Sequence, residues 1–360
     1  MLGFPLRFDV CKVRSVLTKV FEFRERGLEQ VTLMQEREFR ELCEQRGLDE
    51  EEIEAAVRSV LTFEEFLAGK DRSLEGMTID DVKEHISELI DQGQNTWERL
   101  TALARYSNMI KMNEVYVYFT SVLGGRTVLP SISERLADLA GAETRDKIFT
   151  GIEAPPLGSP PEEFPKVTRR LVERLERELG SERCHDVLAG NHHRIPVENF
   201  EKHKLWLEEE GSIEGYLKRL HDSAVAELEE YSREGKIWYE QEITPEVVEF
   251  VRGNQEMLSG VQEGDWIYMT KIPYAPKDYL TATDPVMKRY HGCHCPLARE
   301  AILMEETDIP LTWCYCSGGY GKLKFDVVFG EPTEVEVLES TLAGDERCRF
   351  RVKIPEGKRD

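Results

Sequence analysis

The sequence predicts an α+β protein, with a mostly helical N-terminal region followed by an α+β domain whose antiparallel sheet ends in a C-terminal β-hairpin. Three observations carry this. Residues 31–107 are dense in Glu, Lys and Arg, with apolar residues at helical spacing; β-rich sequence appears only beyond Gly264; and the end of the chain alternates apolar with charged residues. With 360 residues and 40% hydrophobic composition, the chain can build two or three domain cores.

Within residues 31–107, Ile53, Val57, Val60 and Leu61, and then Val82, Ile86, Leu89 and Ile90, recur on helical faces. Residues 115–129 (VYVYFTSVLGGRTVL) are rich in β-branched and aromatic residues, which suits a strand or a buried helix ending at Gly124 and Gly125; both readings stay open. Pro155, Pro156, Pro160, Pro161 and Pro165, with Gly158 and Ser159, can continue neither helix nor central strand. A domain boundary is therefore placed there: a helical domain over 1–150, a proline-rich linker over 151–166, and a cysteine-rich α+β domain over 167–360.

Val167, Leu171, Leu175 and Leu179 share one helix face, and Gly180 stops that helix. A second helix is expected over 213–233. Thr244-Pro245-Glu246 combines an N-cap residue, a first-position proline and an early acid, so a helix should start there and run to about Gly260. Residues 266–272 (WIYMTKI) read as a strand closed by Pro273. In the terminal hairpin, Val335 and Val337 face Cys348, Phe350, Val352 and Ile354 on the apolar side, while Glu334 and Glu336 share the charged side with Arg349 and Arg351. Cys348 is expected to be a buried apolar residue.

Composition excludes several functions. Lys and Arg total 47 against 69 Asp and Glu, giving 47 − 69 = −22, which repels phosphate backbones, and no basic cluster compensates. Nucleic acid is not an expected partner. The longest charge-free run, residues 309–321, is short and rich in glycine and cysteine, so no membrane span is expected. Residues 1–14 (MLGFPLRFDVCKVR) lack the pattern of a secretory leader, so a cytoplasmic protein is expected. The partner implied is a small-molecule ligand, with self-association left open.

The chemistry is expected near the C-terminus. Of eight cysteines, Cys11, Cys43 and Cys184 are scattered, whereas Cys293, Cys295, Cys314, Cys316 and Cys348 crowd the end of the chain. Two Cys-x-Cys pairs, in RYHGCHCP and CYCSGGY, carry His291 and His294 beside them. Residues i and i+2 point the same way only in extended or looped backbone, because on a helix they diverge by about 200°. Residues 296–303 read as a helix that Cys295 would cap, and Ser317-Gly318-Gly319 as the opening of another just after Cys316. Both settings favour a thiolate. Three readings follow. Cys293, Cys295, Cys314 and Cys316 are the ligands of zinc or an iron–sulfur cluster, with His291 or His294 as substitute ligand or proton carrier. Alternatively, Cys295 is the nucleophile of a metal-free hydrolase, with His294 or His291 as base and the amides near Gly318 and Gly319 stabilising an anion. In the third, the thiols are small buried hydrophobes. The metal reading describes a protein that binds or transforms a small organic molecule; the others are a cysteine-dependent hydrolase and a non-catalytic small-molecule sensor. Whether the chain is an enzyme stays open.

Elsewhere, Cys184-His185, Asn191-His192-His193 and His203 are expected to be solvated rather than a second metal site. Asn254, Gln255, Glu256, Lys271 and Tyr274 are expected at the surface, and Trp238, Trp266 and Trp313 in packed positions.

DWIYMTKIPY (265–274), RYHGCHCPLAREAI, WCYCSGGY and LESTLAGDERCRFRVKIP together resemble a bacterial and archaeal family of uncharacterised cytoplasmic proteins, over residues 165–355. The last stretch is also similar to the 4-vinyl reductase-like domain and to proteins of the L-2-amino-thiazoline-4-carboxylate hydrolase type. That resemblance implies an α+β domain with a small-molecule pocket beside cysteines, Cys348 matching the Gly-Asp-x-x-Cys-x-Phe motif. The two Cys-x-Cys pairs lie outside the generic pattern, so it carries over no reaction.

Overall fold

The computed structural model describes residues 34–304 and 308–358. Cys11, the leader reading over residues 1–14 and the first residues of the helical span at 31–33 lie outside the described residues. Helices α1 (Glu36–Gln45), α2 (Glu50–Ala68), α3 (Ile79–Asp91), α4 (Trp97–Met109) and α5 (Asn113–Leu123) form the N-terminal bundle. Their starts are written locally. At α2, Asp49 Oδ1 accepts from Glu52 N while Glu52 Oε2 accepts from Asp49 N, both at 2.9 Å, a reciprocal capping box. The open segment at 115–129 is helical: Val115, Phe119 and Val122 fall on one face and are buried against α4, a pattern that β-branched residues adopt readily once packing rewards it.

The bundle's apolar cluster ends at Leu123. Helices α6 (Val128–Ala140), α7 (Ala142–Phe149), α8 (Phe164–Leu179) and α9 (Ser181–Leu188) instead share a second core with Leu297, Trp313 and Cys316. The proline-rich stretch lies on the first core: Asn95 Nδ2 donates to Leu157 O at 2.8 Å, and a Cβ on Gly158 would stand 2.7 Å from Ile86 Cγ2. In α8, Leu171 and Leu175 are fully buried and Gly180 (φ 74°) ends the helix, as the spacing predicts.

Helices α10 (Glu201–Glu210) and α11 (Ile213–Glu234) lead into a two-stranded hairpin, β1 (Ile237–Trp238) and β2 (Gln241–Glu242). Helix α12 (Pro245–Arg252) begins where expected, Val247 N donating to Thr244 Oγ1. It stops at Gly253 rather than Gly260. Asn254 Oδ1 takes the Glu256 amide, and Leu258 adopts φ 60°, turning the chain so that Gly260 lies directly on Ile267. β3 (Val261–Glu263) and β4 (Trp266–Thr270) follow, then α13 (Pro276–Thr281) and α14 (Pro285–Gly292). The predicted helix at 296–303 is a turn and a 3-10 segment, Arg299–Leu303. Helix α15 (Tyr315–Phe329) lies across the inner face of the sheet, where Phe325 and Phe329 meet Ile267, Phe350 and Val352.

β5 (Val335–Glu339) and β6 (Arg349–Lys353) complete an antiparallel sheet in the order β3-β4-β6-β5. The fold is α+β, with the hairpin predicted at the end of the chain. Its charged face pairs only partly as expected. Glu336 opposes Arg351 and binds it at 2.5 Å, but Glu334 approaches Lys353, and Arg349, opposite Glu339 across a bulge between Val337 and Glu339, binds Glu256.

Candidate functional site

Cys314 and Cys316 are not in extended backbone. Cys314 stands at the N-cap of α15, preceded by the 3-10 turn Leu311–Cys314, and Cys316 is the helix's second residue. Helical geometry therefore sends the two thiols to different sides. Cys314 Sγ meets Ser340 Oγ at 3.0 Å, whereas Cys316 packs into the second core beside Cys295. The loop carrying Cys293 and Cys295 is extended, as predicted, and is anchored by Thr168 Oγ1 donating to Leu297 O at 2.7 Å. Gly292 lets the end of α14 approach the hairpin: an added Cβ would stand 3.0 Å from Thr341 Cγ2 and 3.3 Å from Glu346 O.

That approach brings Cys348 into the constellation. Cys314 lies within electrostatic reach of Cys348, Cys293 and Cys295, and Cys293 within reach of Cys348 and Cys295. Cys348 Sγ also lies 3.5 Å from Thr341 Oγ1. Among the described residues, no three His, Cys, Asp or Glu side chains stand close enough together, as placed, to hold a metal ion.

The thiolate expectation is corrected for the protein as it stands. Burial pushes Cys293 up to about 12 and drives Cys314 and Cys316 up as well. Cys295 is raised too, by burial, but it alone of the five is partly exposed, and its sulfur is opposed by donors. Trp313 Nε1 donates to it at 3.3 Å, and the Leu297 and Ala298 amides also point at it. The amide of Gly319, read as an anion donor, is inside α15, and the Gly318-Gly319 pair serves packing. A Cβ on Gly319 would stand 2.5 Å from the Ala189 carbonyl carbon.

Beside Cys295 lies a group of polar side chains. Lys271, His193, Glu240, His294, Cys295 and Ser317 are each half-buried, yet burial dominates the titration of His193, Glu240, His294 and Cys295. Lys271 Nζ donates to Ser317 Oγ at 2.8 Å and stands 5.1 Å from the Tyr320 ring. His294 Nε2 faces Ile272 O at 2.5 Å; a carbonyl only accepts, so Nε2 carries the hydrogen and Nδ1 keeps a lone pair. Burial, with Lys271 nearby, pushes this imidazole down to about 3, so it is neutral. Its ring stands edge-on to Tyr274, and Arg299 lies 4.1 Å from the Tyr274 ring centre. Tyr290 OH donates to Glu300 Oε1 at 2.7 Å, and that oxygen is 3.6 Å from Arg299 Nε. Glu240 reaches this group from the β1–β2 turn, where Tyr239 holds φ 54°. A cleft of about 520 Å³ lined by Met257, Tyr279 and Leu280 also opens on Lys271.

Other expectations shift. His291, in the last turn of α14, stands edge-on to Tyr290. His192 and His203 are buried rather than solvated: His192 bonds Val187 O at 2.9 Å and Ser131 Oγ at 3.1 Å, and His203 sits among Trp206 and Tyr216. Cys184 is in the second core, and His185 stacks on Tyr315 at 3.7 Å. Tyr274 is buried and Glu256 binds Arg349; neither is a free surface group. Arg299 and Glu240 were not anticipated. The charged pair Arg299-Glu300 inside the apolar run PLAREAIL was the signal for the first; nothing in the sequence marked the second.

The model of a family of unknown function (DUF6144) matches residues 278–358, well under half of the chain, and this stretch carries all five clustered cysteines together with His291, His294 and Arg299. No curated protein matches the chain, and no solved structure does. Among the described residues no helix is long and apolar enough to cross a membrane. The chain is similar to that uncharacterised family over its C-terminal site region.

Proposed function

We propose that the chain is a cysteine-ligated metal protein, taking zinc or an iron–sulfur cluster through Cys293, Cys295, Cys314 and Cys348, and that it binds or transforms a small organic molecule beside them. One observation carries the reading. Thiols from three separated segments converge, while Cys43 and Cys184 stand apart in the cores. The donors on Cys295 and the hydroxyls beside Cys314 and Cys348 are the kind of outer partners that orient metal-bound thiolates. Binding would draw the sulfurs together and expel their protons, so raised thiol pKa values make affinity climb with pH. The similarity of the hairpin to 4-vinyl reductase-like and L-2-amino-thiazoline-4-carboxylate hydrolase-type domains belongs to this proposal: it speaks for a small-molecule site beside Cys348.

The test is elemental analysis and visible absorption of untagged protein purified without oxygen or added metal. Cys314→Ser and Cys348→Ser should each lower bound metal and melting temperature together, whereas Cys43→Ala should leave bound metal unchanged. Full metal retention in both serine variants would overturn the reading.

A second reading rests on Cys295 alone. Its partial exposure, its sulfur donors and the nearby Lys271 suit the nucleophile of a metal-free hydrolase. Metal-free protein with one rapidly alkylated cysteine, identified as Cys295, would favour it.

A further inference from the structure

The cleft just past the end of β4, about 520 Å³, falls within the size range of small-molecule sites. Its walls are apolar and aromatic: Phe250 from α12, Met257 from the loop behind it, and Tyr279 and Leu280 from α13. The Phe250 and Tyr279 ring centres stand 6.1 Å apart, so the two rings form one aromatic surface. The charged groups that line the cleft are already engaged. Lys288 binds Glu346 at 3.0 Å, Arg347 binds Glu339 at 2.9 Å, Asp345 accepts the Ser340 amide at 2.8 Å, and Lys271 donates to Ser317 Oγ. These are three cations and three acids, 3 − 3 = 0 in formal charge. An ionic ligand would have to break one of these bonds or lie unpaired among them, whereas an uncharged ligand leaves them intact. Tyr279 supplies a polar handle: its ring is buried, yet its hydroxyl has no hydrogen-bond partner among the described residues and touches solvent. The cleft abuts the thiols. Tyr279 Cε2 would stand 3.5 Å from a Cβ added at Gly292, the residue before Cys293, and Lys271 N donates to Cys348 O at 2.9 Å.

We propose that this cleft takes an uncharged aromatic or heteroaromatic molecule, its ring against Phe250, Met257 and Leu280 and one polar group at Tyr279 OH. This deepens the small-molecule part of the reading above and rests on it, but needs no metal. The polar group is an N–H, a hydroxyl or a carbonyl, since a phenol both donates and accepts.

The test is calorimetric titration of the full chain with indole, indole-3-acetate and tryptamine, which carry one ring system with no charge, a negative charge and a positive charge. Indole should bind saturably and the most tightly of the three. No saturable indole binding, or tighter binding of either charged analogue, overturns the proposal. Leu280 is exposed, so Leu280→Asp should leave the fold intact and weaken indole about tenfold or more, and Tyr279→Phe should weaken it about fivefold. Affinity that Leu280→Asp leaves unchanged overturns the proposal. Should that variant unfold, methyl spectra of methionine-labelled wild-type protein decide: saturating indole should shift the Met257 methyl and leave Met77, buried in the N-terminal core, in place, and an unmoved Met257 overturns the site. The Cys314→Ser variant separates the two readings. Lost metal with retained indole binding supports both, retained metal without indole binding removes the cleft alone, and indole binding by wild-type protein that takes no metal removes the metal alone.

Discussion

Glu256 grips Arg349 with both carboxylate oxygens, at 2.6 and 2.8 Å, tying the loop after α12 to the last strand of the sheet. Its Oε2 also accepts from Thr270 at 2.6 Å. Burial alone would raise this carboxyl, but the bonds from Arg349 and Thr270 outweigh it and hold it below the usual range. Glu256→Gln should therefore cost about 1.5–3 kcal/mol in urea unfolding at pH 7. A lowered folded pKa confers stability above the ordinary carboxylate pKa that is lost as pH falls through the folded value, so the cost should shrink near pH 3. Equal losses at both pH values would refute the assignment.

His85 is buried against Phe63 and Phe66, and neither ring nitrogen has a partner among the described residues. Burial pushes it down to about 4, so between roughly pH 6.5 and 4 the unfolded chain binds a proton that the folded one does not. Stability should fall across that window as pH drops. His85→Phe should flatten the slope by about one proton; an unchanged slope in that variant would place the acid sensitivity elsewhere.

Native, metal-free protein should react slowly with iodoacetamide at pH 7, because burial keeps Cys293, Cys295, Cys314 and Cys316 as thiols. Cys295 should label first of the five, since it alone is partly exposed. Mass spectrometry that finds Cys314 or Cys293 modified before Cys295 would contradict the arrangement.

Two glycines of the CSGGYG run, Gly319 and Gly321, should respond differently to alanine. At Gly319 the new Cβ meets backbone at 2.5 and 2.6 Å, which can yield only by moving α15 off residues 189–190. Gly319→Ala should cost more than about 3 kcal/mol. At Gly321 the nearest atom is the flexible end of Met269, at 3.3 Å, and alanine's helix propensity offsets the crowding. Thermal melts within about 1 kcal/mol of wild type are expected there.

Local signals were legible where one element determines its own boundaries. Thr244-Pro245 started α12, Gly180 closed α8, and alternation in residues 348–354 marked the last strand. What sequence could not supply was set by contacts between elements. The aromatic, β-branched run at 115–123 is helical because α4 covers its face, and Cys314 and Cys316 are helical because the 3-10 turn Leu311–Cys314 runs straight into α15 at Tyr315, two residues before the expected start at Ser317. The thiol cluster was half visible: the two pairs were plain, but Cys348 joined only through the closeness of Gly292 to the hairpin, and Glu240 reached Arg299 and Tyr274 through a turn with no sequence mark.

The proline-rich segment acts as a splint. With Leu157 bonded to Asn95 and Gly158 seated on Ile86 and Leu100, the N-terminal bundle cannot swing away from the segment that leads into α8 without opening its own core to water. Loss of that seat by Gly158→Val should loosen both halves at once, and intact protein should melt in a single calorimetric transition rather than as two bodies on a string.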